Sequence, residues 1–196
     1  MRYQHTFQIG EEESVALHRY ANRKGQLLLS IGLIPENELS KKAGIPLDDR
    51  TSGAVVYENN ETLVPGVFAC GNVLHVHDLV DFVSQEAALA GEAAAAYLLN
   101  GKPENDRVSL LAEGGVRYTV PQYIRRSAEQ NVTVRFRVGQ PYRNAAVCVY
   151  AGDKLLRRIP KRVLAPGEME RVTLRPADWA DGVETIRFCI EEDENK

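Results

Sequence analysis

The residues best suited to chemistry lie in one short stretch, Gly71-Asn72-Val73-Leu74-His75-Val76-His77-Asp78. Histidine titrates near neutral pH and can transfer protons, so His75 and His77 are the candidate catalytic residues. The pattern H-x-H-D could also ligate a metal ion. However, two histidines one residue apart point to opposite sides of an extended chain, and only a loop could bring them together. We expect no metal site, and the remaining alternative is a pair of solvated or interdomain histidines.

The three cysteines predict no further site. They are Cys70, Cys148 and Cys189, and no C-x-x-C pair occurs, so the pattern favours neither a zinc knuckle nor a local redox dithiol. We expect reduced structural thiols in a cytoplasmic protein, with Cys70 packed in a buried strand. No apolar run approaches the ~20 residues of a membrane helix. We therefore expect no contact with a membrane.

The elements around the histidine stretch have α/β character. Residues 67–70 predict a buried strand directly before Gly71, and residues 82–99 predict a long helix that ends at Asn100-Gly101-Lys102-Pro103. Upstream, residues 26–31 and 54–57 predict strands and residues 38–43 a short helix. Residues 1–26 carry no firm pattern; a strand at residues 7–9 and a short helix at residues 14–22 are the best interpretation.

Beyond Pro103 the hydrophobic pattern changes to a period of two. In residues 131–138, Val132, Val134, Phe136 and Val138 share one face, and Ala151-Gly152-Asp153 predicts a hairpin turn. About seven short strands of this kind predict an immunoglobulin-like β-sandwich. The predicted fold class is therefore α+β, with an N-terminal segment (1–26), a partial α/β segment (27–103) and an all-β sandwich domain (104–196).

Two motifs in the α/β segment resemble the closing part of the flavin domain in pyridine-nucleotide-disulfide oxidoreductases, the thioredoxin reductase and glutathione reductase superfamily. Residues 28–37, LLSIGLIPEN, look like the strand and T-G-x-x-P-N turn of that family. Residues 62–72, TLVPGVFACGN, look like its T-x-x-P-x-x-F-A-x-G-D motif. The alanine-rich helix with Gly91 follows in the expected order. The resemblance is closest to a branch that also carries a C-terminal β-extension.

This resemblance implies a set of FAD-binding residues. Gly32 and Gly71 would let the backbone approach the cofactor, and Asn72 would accept a hydrogen bond from the ribityl chain where the family has an aspartate. Ser84 and Gln85 fall where the family's helix meets the flavin, and the N-terminal end of that helix would face the flavin's pyrimidine edge. His75 and His77 would lie beside the ring. The alternative is a structural Gly-Asn turn followed by a helix that only packs on a sheet.

The departures from the family are as informative as the matches. No G-x-G-x-x-G pyrophosphate loop, nicotinamide-binding insertion or redox dithiol occurs in the sequence. We therefore expect FAD to bind in the complete enzyme and weakly or not at all in this chain. The chain would be a truncated product, an excised fragment, or a subunit completed by a chain that supplies the rest of the flavin domain.

A second hypothesis is a non-catalytic interaction module that docks a partner, or a second copy of itself, through the β-domain. Residues 1–104 hold 8 basic and 14 acidic residues, whereas residues 105–196 hold 16 and 13, and this difference supports two units. The arginines of the second part alternate along strands rather than cluster, so we expect no nucleic-acid binding. Arg135, Arg137, Arg157 and Arg158 are expected on a solvated sheet face that could dock an acidic partner.

Overall fold

The computed structural model describes residues 3–8, 14–21, 27–28, 33–180 and 182–192, and it divides into two compact units, residues 1–34 and 35–196. The first unit contains an antiparallel sheet in the order β1 (Tyr3–Gln8), β2 (Ser14–Ala21) and β3 (Leu27–Leu28). The helix predicted at residues 14–22 is therefore wrong. Val15 and Leu17 alternate with smaller or polar residues, and the pairing of Phe7 with Val15 shows that a partner strand lies beside them.

The second unit begins with the short helix α1 (Glu38–Lys42), close to its predicted bounds. The strands predicted at residues 54–57 and 67–70 are wrong, because only isolated bridges form there, such as Val56 with Thr62 and Glu61 with Phe68. Their backbone groups pair with nearby loops: the Val56 carbonyl accepts from the N–H groups of Gln122 and Tyr123. A buried parallel strand needs partner strands along its edges, and the described part of this unit supplies none here.

The long helix α2 (Val80–Asn100) is confirmed and starts two residues earlier than predicted. It ends at Gly101, whose φ of 78° is the left-handed conformation that glycine adopts readily after a helix. Only Glu86 and Ala90 of its residues are buried, whereas Leu98 and Leu99 are each 85% exposed. Most of the apolar surface of α2 therefore lies uncovered within the described residues.

Residues 107–192 form two sheets. The larger sheet has the strand order β6 (Tyr123–Arg125), β4 (Arg107–Ala112), β11 (Thr185–Glu192), β8 (Tyr142–Ala151) and β9 (Lys154–Leu164), in which β4 and β11 are parallel and the other pairs antiparallel. The smaller sheet is antiparallel, with the order β10 (Glu170–Leu174), β7 (Val132–Val138) and β5 (Val116–Val120). The hairpin predicted around Gly152 is confirmed as the β8–β9 turn.

The two sheets share one hydrophobic core. The alternating residues of β7 are buried as predicted, and the ring centroids of Phe136 and Phe188, from different sheets, are 5.8 Å apart. Trp179 is buried in the same core. The α+β class is thus confirmed, while the assignment of the β part to the immunoglobulin type and the domain boundaries remain predictions. No helix among the described residues is long and apolar enough to cross a membrane.

A buried ionic cluster attaches the loop at residues 57–61 to strand β6. Arg125 is 4% exposed, and its guanidinium contacts Glu58 at 3.2 Å and Glu61 at 2.5 Å. It also lies 3.8 Å from the ring centroid of Tyr57, a cation–π geometry. Because both carboxylates pair with one planar guanidinium, the loop that precedes Gly71 is held against the larger sheet.

Candidate functional site

The loop that carries the two histidines is held on one side by close backbone packing. Gly71 has a φ of 75° and opens a short 3₁₀ turn, Gly71–Val73, after which Leu74 is fully buried. A Cβ at Gly53 would lie 1.7 Å from the Leu74 carbonyl oxygen, so only glycine fits there. The buried Asn37 side chain donates to the carbonyl of Val73 at 2.6 Å. The start of the loop is therefore fixed before the histidines.

On its other side the loop is held by one buried carboxylate of α2. Oε1 of Glu86 lies 3.0 Å from Nε2 of His75, and Oε2 lies 3.0 Å from Nε2 of His77. Oε2 also accepts the backbone N–H of Gly71 at 2.7 Å. All three side chains are at most 1% exposed, and the two imidazole centroids are 4.3 Å apart. The loop thus brings together two histidines that an extended chain would have separated. The alternative of solvated histidines is wrong, whereas a catalytic role for His75 and His77 stays a prediction.

A cation from the smaller sheet adds to this cluster. Nη1 of Arg135 on β7 lies 3.7 Å from Oε1 of Glu86, and the Arg135 side chain is 11% exposed. Arg137, two residues further along β7, donates to the carbonyl of Val76 at 3.0 Å and pairs with Asp78. The expectation of a solvated face for these two arginines is therefore wrong, because the histidine loop covers them.

Burial and the hydrogen bonds to Glu86 together determine the charges of Glu86 and His75. Burial alone would disfavour the ionised form of Glu86, but the bonds from His75 and His77 outweigh it and lower the pKa of Glu86 to about 2. Burial also lowers the pKa of His75, in spite of the nearby carboxylate. Glu86 is therefore anionic and His75 neutral at pH 7, with its Nε2–H donating to the carboxylate.

The geometry allows a comparison with a metal site. One atom each of His75, His77 and Glu86 lie within 4.8 Å of one another, which a small cation could bridge. A histidine that binds a metal through one ring nitrogen usually donates a hydrogen bond to a protein group through the other. In both histidines Nδ1 is buried and has no hydrogen-bond partner among the described residues. Both Glu86 oxygens already accept hydrogen bonds, and Arg135 opposes a second cation. The donor set fits a hydrogen-bonded anchor better than a metal centre.

The other residues predicted from the sequence lie around this anchor. The exposed Asn72 accepts the backbone N–H of His77 through Oδ1 at 3.2 Å. Ser84 and Gln85 are exposed in the second turn of α2, and the Ser84 hydroxyl donates to the Val80 carbonyl at 3.2 Å. Gly32 lies outside the described residues. No described contact joins Asn72 to Ser84 or Gln85, so their joint role in cofactor binding stays a prediction.

Two residues of the cluster were missed in the sequence. Glu86, which follows Gln85 in an alanine-rich helix, was not singled out from the sequence, and Arg135 was expected on a solvated sheet face. The available signal was the position of Glu86, which is followed by the apolar run Ala87-Ala88-Leu89-Ala90 and lies eleven residues after His75. Cys70 is half-buried and lies in no strand, so the prediction of a thiol packed in a buried strand is wrong; partial burial still raises the pKa of the thiol, which agrees with the expected low reactivity.

Residues 10–96 match the family model described as pyridine nucleotide-disulphide oxidoreductase. Comparisons with curated proteins and with solved structures gave no match. The family match spans less than half of the chain. It includes the Gly71 turn, both histidines and Glu86, and it ends before the β-domain begins. The resemblance seen in the motifs is thus confirmed for this segment, and the chain contains an oxidoreductase-related piece.

Proposed function

We propose that residues 27–103 form the closing segment of the flavin domain of an FAD- and NAD(P)-dependent oxidoreductase, and that the chain is not catalytically competent alone. The observation that carries the proposal is the family match at residues 10–96 together with the Gly71–Glu86 hydrogen bond. The match indicates the class of protein. The hydrogen bond gives the Gly-Asn turn a fixed position at the beginning of α2, where that class would need it.

The residues of this chain fit one edge of a flavin rather than a whole FAD molecule. Asn72, Ser84 and Gln85 present exposed polar groups, and the N-terminal end of α2 has no side-chain cap. Of the N–H groups in its first turn, that of Phe82 donates to the Leu79 carbonyl at 3.2 Å, and those of Val80 and Asp81 would be offered to an acceptor. The Gly71 N–H is already donated to Glu86. In the complete enzyme, FAD would carry hydride between NAD(P)H and an acceptor. Asn72 would support the ribityl hydroxyls, and the α2 start would stabilise negative charge at the ring.

The first test is a titration of FAD into the purified 196-residue protein, followed by flavin fluorescence. We expect no stoichiometric binding, because the sequence lacks the pyrophosphate loop. A yellow protein with one FAD per chain would contradict this part of the proposal.

The second test is co-expression with the product of the upstream reading frame, provided that it carries G-x-G-x-x-G. We expect a complex that retains FAD. Asn72→Asp should lower the FAD dissociation constant about fivefold, because an ionised acceptor strengthens the hydrogen bond by roughly 1 kcal/mol. Asn72→Leu should raise it. The control Gln140→Glu adds the same charge at an exposed turn and should change nothing. A complex without FAD, or equal affinity in the Asn72→Leu variant, would refute the proposal.

A second candidate function is a non-catalytic module that docks a partner or a second copy of itself. The exposed leucines at the C-terminal end of α2, Leu98 and Leu99, favour it, since large apolar side chains on a helix surface mark contact sites. Their position favours docking through α2 rather than through the β-domain. Analytical ultracentrifugation tests this candidate, and a clean monomer at all concentrations would count against self-association.

A further inference from the structure

A cavity of about 310 Å³ lies between α2 and the smaller sheet. Its apolar lining consists of Leu89 from α2, Val120 at the end of β5, Val132 at the start of β7, and Pro121 and Ala128 from the segments that flank β6. The polar groups at its edge include Asn60, Thr133 and Arg135. A concave, mainly apolar space of this size with a few polar groups is typical of a site for a small organic molecule.

Among the described residues that line the cavity, Arg135 has a buried polar side-chain atom, Nε, without a hydrogen-bond partner. Its described ion pair with Glu86 is 3.7 Å long, beyond hydrogen-bond distance. A guanidinium offers five N–H donors, and a buried donor without an acceptor is costly. Burial lowers the pKa of Arg135, and this effect and the charge of Arg171 together outweigh the opposite effect of the Glu86 carboxylate.

Among the described residues, no acidic side chain around the cavity accepts a hydrogen bond from the Arg135 guanidinium. Glu58 accepts the backbone N–H of Arg125 at 2.9 Å and its guanidinium at 3.2 Å. Glu129 is exposed at the rim. Glu86 forms the 3.7 Å ion pair with Arg135, but its oxygens accept hydrogen bonds from Gly71 and the two histidines. An anion that enters the cavity would therefore meet one incompletely paired cation.

We propose that this cavity binds a small amphipathic carboxylate, with its carboxylate on the Arg135 guanidinium and its apolar part against Leu89 and against Val120, the residue that pairs with Arg135 across β5 and β7. A single planar guanidinium matches a carboxylate through two parallel hydrogen bonds. The apolar wall requires a hydrocarbon or aromatic body, because it offers no hydrogen bonds to a polar one. This site is independent of flavin binding, since Asn72, Ser84 and Gln85 do not line the cavity.

The probes are phenylacetate, its neutral analogue phenylacetamide, and acetate, which has the charge without the apolar body. Binding to the 196-residue protein is followed by ¹H–¹⁵N chemical-shift titration up to about 20 mM, a range that detects weak complexes. We expect phenylacetate to bind at least about tenfold more tightly than either analogue, because removal of the charge or of the apolar contact each costs that much.

Two variants separate the roles of the wall and the cation. Leu89→Trp fills the cavity from a half-exposed helix position and should abolish binding while the protein stays folded. Arg135→Met should abolish the preference for phenylacetate over phenylacetamide. Arg126→Met, which removes a half-buried arginine that does not line the cavity, should change nothing. Absence of phenylacetate binding, equal binding of phenylacetamide by the unmodified protein, or undiminished binding by the Leu89→Trp variant would each overturn the proposal.

Discussion

The backbone N–H of Gly71 donates a 2.7 Å hydrogen bond to Oε2 of Glu86, which lies fifteen residues further along the chain in α2. The same carboxylate accepts hydrogen bonds from His75 and His77. The side chain of Glu86 is therefore bonded to both ends of the loop that runs from Gly71 to His77. Because Glu86 is fully buried, water cannot replace any of these bonds. The position of the histidine loop on α2 thus depends on the ionised state of a single residue.

Substitution of Glu86 should be among the most destabilising changes in the chain. Glu86→Gln offers one oxygen acceptor to three buried donors, so we expect the free energy of unfolding to fall by about 3 kcal/mol. The matched control is Glu92→Gln, an exposed residue of the same helix, for which a change within about 0.5 kcal/mol is expected. Urea denaturation followed by circular dichroism measures both. Equal effects of the two substitutions would show that the Glu86 hydrogen bonds contribute little.

The stability of the protein should fall on acidification. The pKa of Glu86 is lowered from 4.5 to about 2 on folding, so the unfolded chain takes up this proton first, and the associated stability is lost as the pH falls from 4.5 towards 2. The pKa of His75 is also lowered, from 6.5, so its contribution is lost as the pH falls below 6.5. The lowered pKa of Glu86 contributes on the order of 3 kcal/mol to the free energy of unfolding at neutral pH.

Urea midpoints measured between pH 7.5 and pH 3 test this dependence. The unfolding free energy should decline below pH 6.5 and more steeply below pH 4.5. In the Glu86→Gln variant the decline below pH 4.5 should be shallower, because the group that titrates there is gone. A steep acid limb of the same size in both proteins would assign the acid sensitivity to other carboxylates.

The neighbouring residues Arg125 and Arg126 should differ strongly in their contribution to the free energy of unfolding. Arg125→Met leaves Glu58 and Glu61 without their buried cation, so a loss of about 3–5 kcal/mol is expected. Arg126→Met removes a pair with Asp106 whose side chains are 26% and 67% exposed, and solvent screening limits the loss to at most about 1 kcal/mol. Thermal denaturation of the two variants checks the contrast. Similar melting temperatures would contradict the structural role of the Arg125 cluster.

The exposed end of α2 should govern association rather than folding. Leu98→Gln and Leu99→Gln keep a good helix former at positions that are 85% exposed, so the free energy of unfolding should change by less than about 0.5 kcal/mol. We expect self-association, measured by sedimentation equilibrium, to weaken in both variants. Leu155→Gln on β9, which is 45% exposed, is the control and should associate like the unmodified protein. Weakening in all three variants would mean that the effect is not specific to α2.

The sequence predicted the elements whose hydrophobic patterns are local. The alternating residues of β7 indicated a strand with one buried face, and the alanine-rich run ending at Gly101 indicated α2, because side-chain spacing alone decides which face can be buried. It failed at residues 54–57 and 67–70, where apolar runs suggested strands. Whether an apolar run becomes a strand depends on partner strands, and those are not encoded in the run itself.

By itself, the sequence determined the family resemblance at the Gly71-Asn72 turn, the α+β class and the two candidate histidines. Only the tertiary structure decided that both histidines meet the carboxylate of Glu86, and that Arg135 approaches it from the smaller sheet. The physical reason is that the local sequence around Glu86 in α2, or around Arg135 in β7, does not show whether that charged side chain will be buried. Their burial and pairing depend on how the helix, the loop and the sheet pack together. This packing buries Glu86 and lets its carboxylate hold the histidine loop.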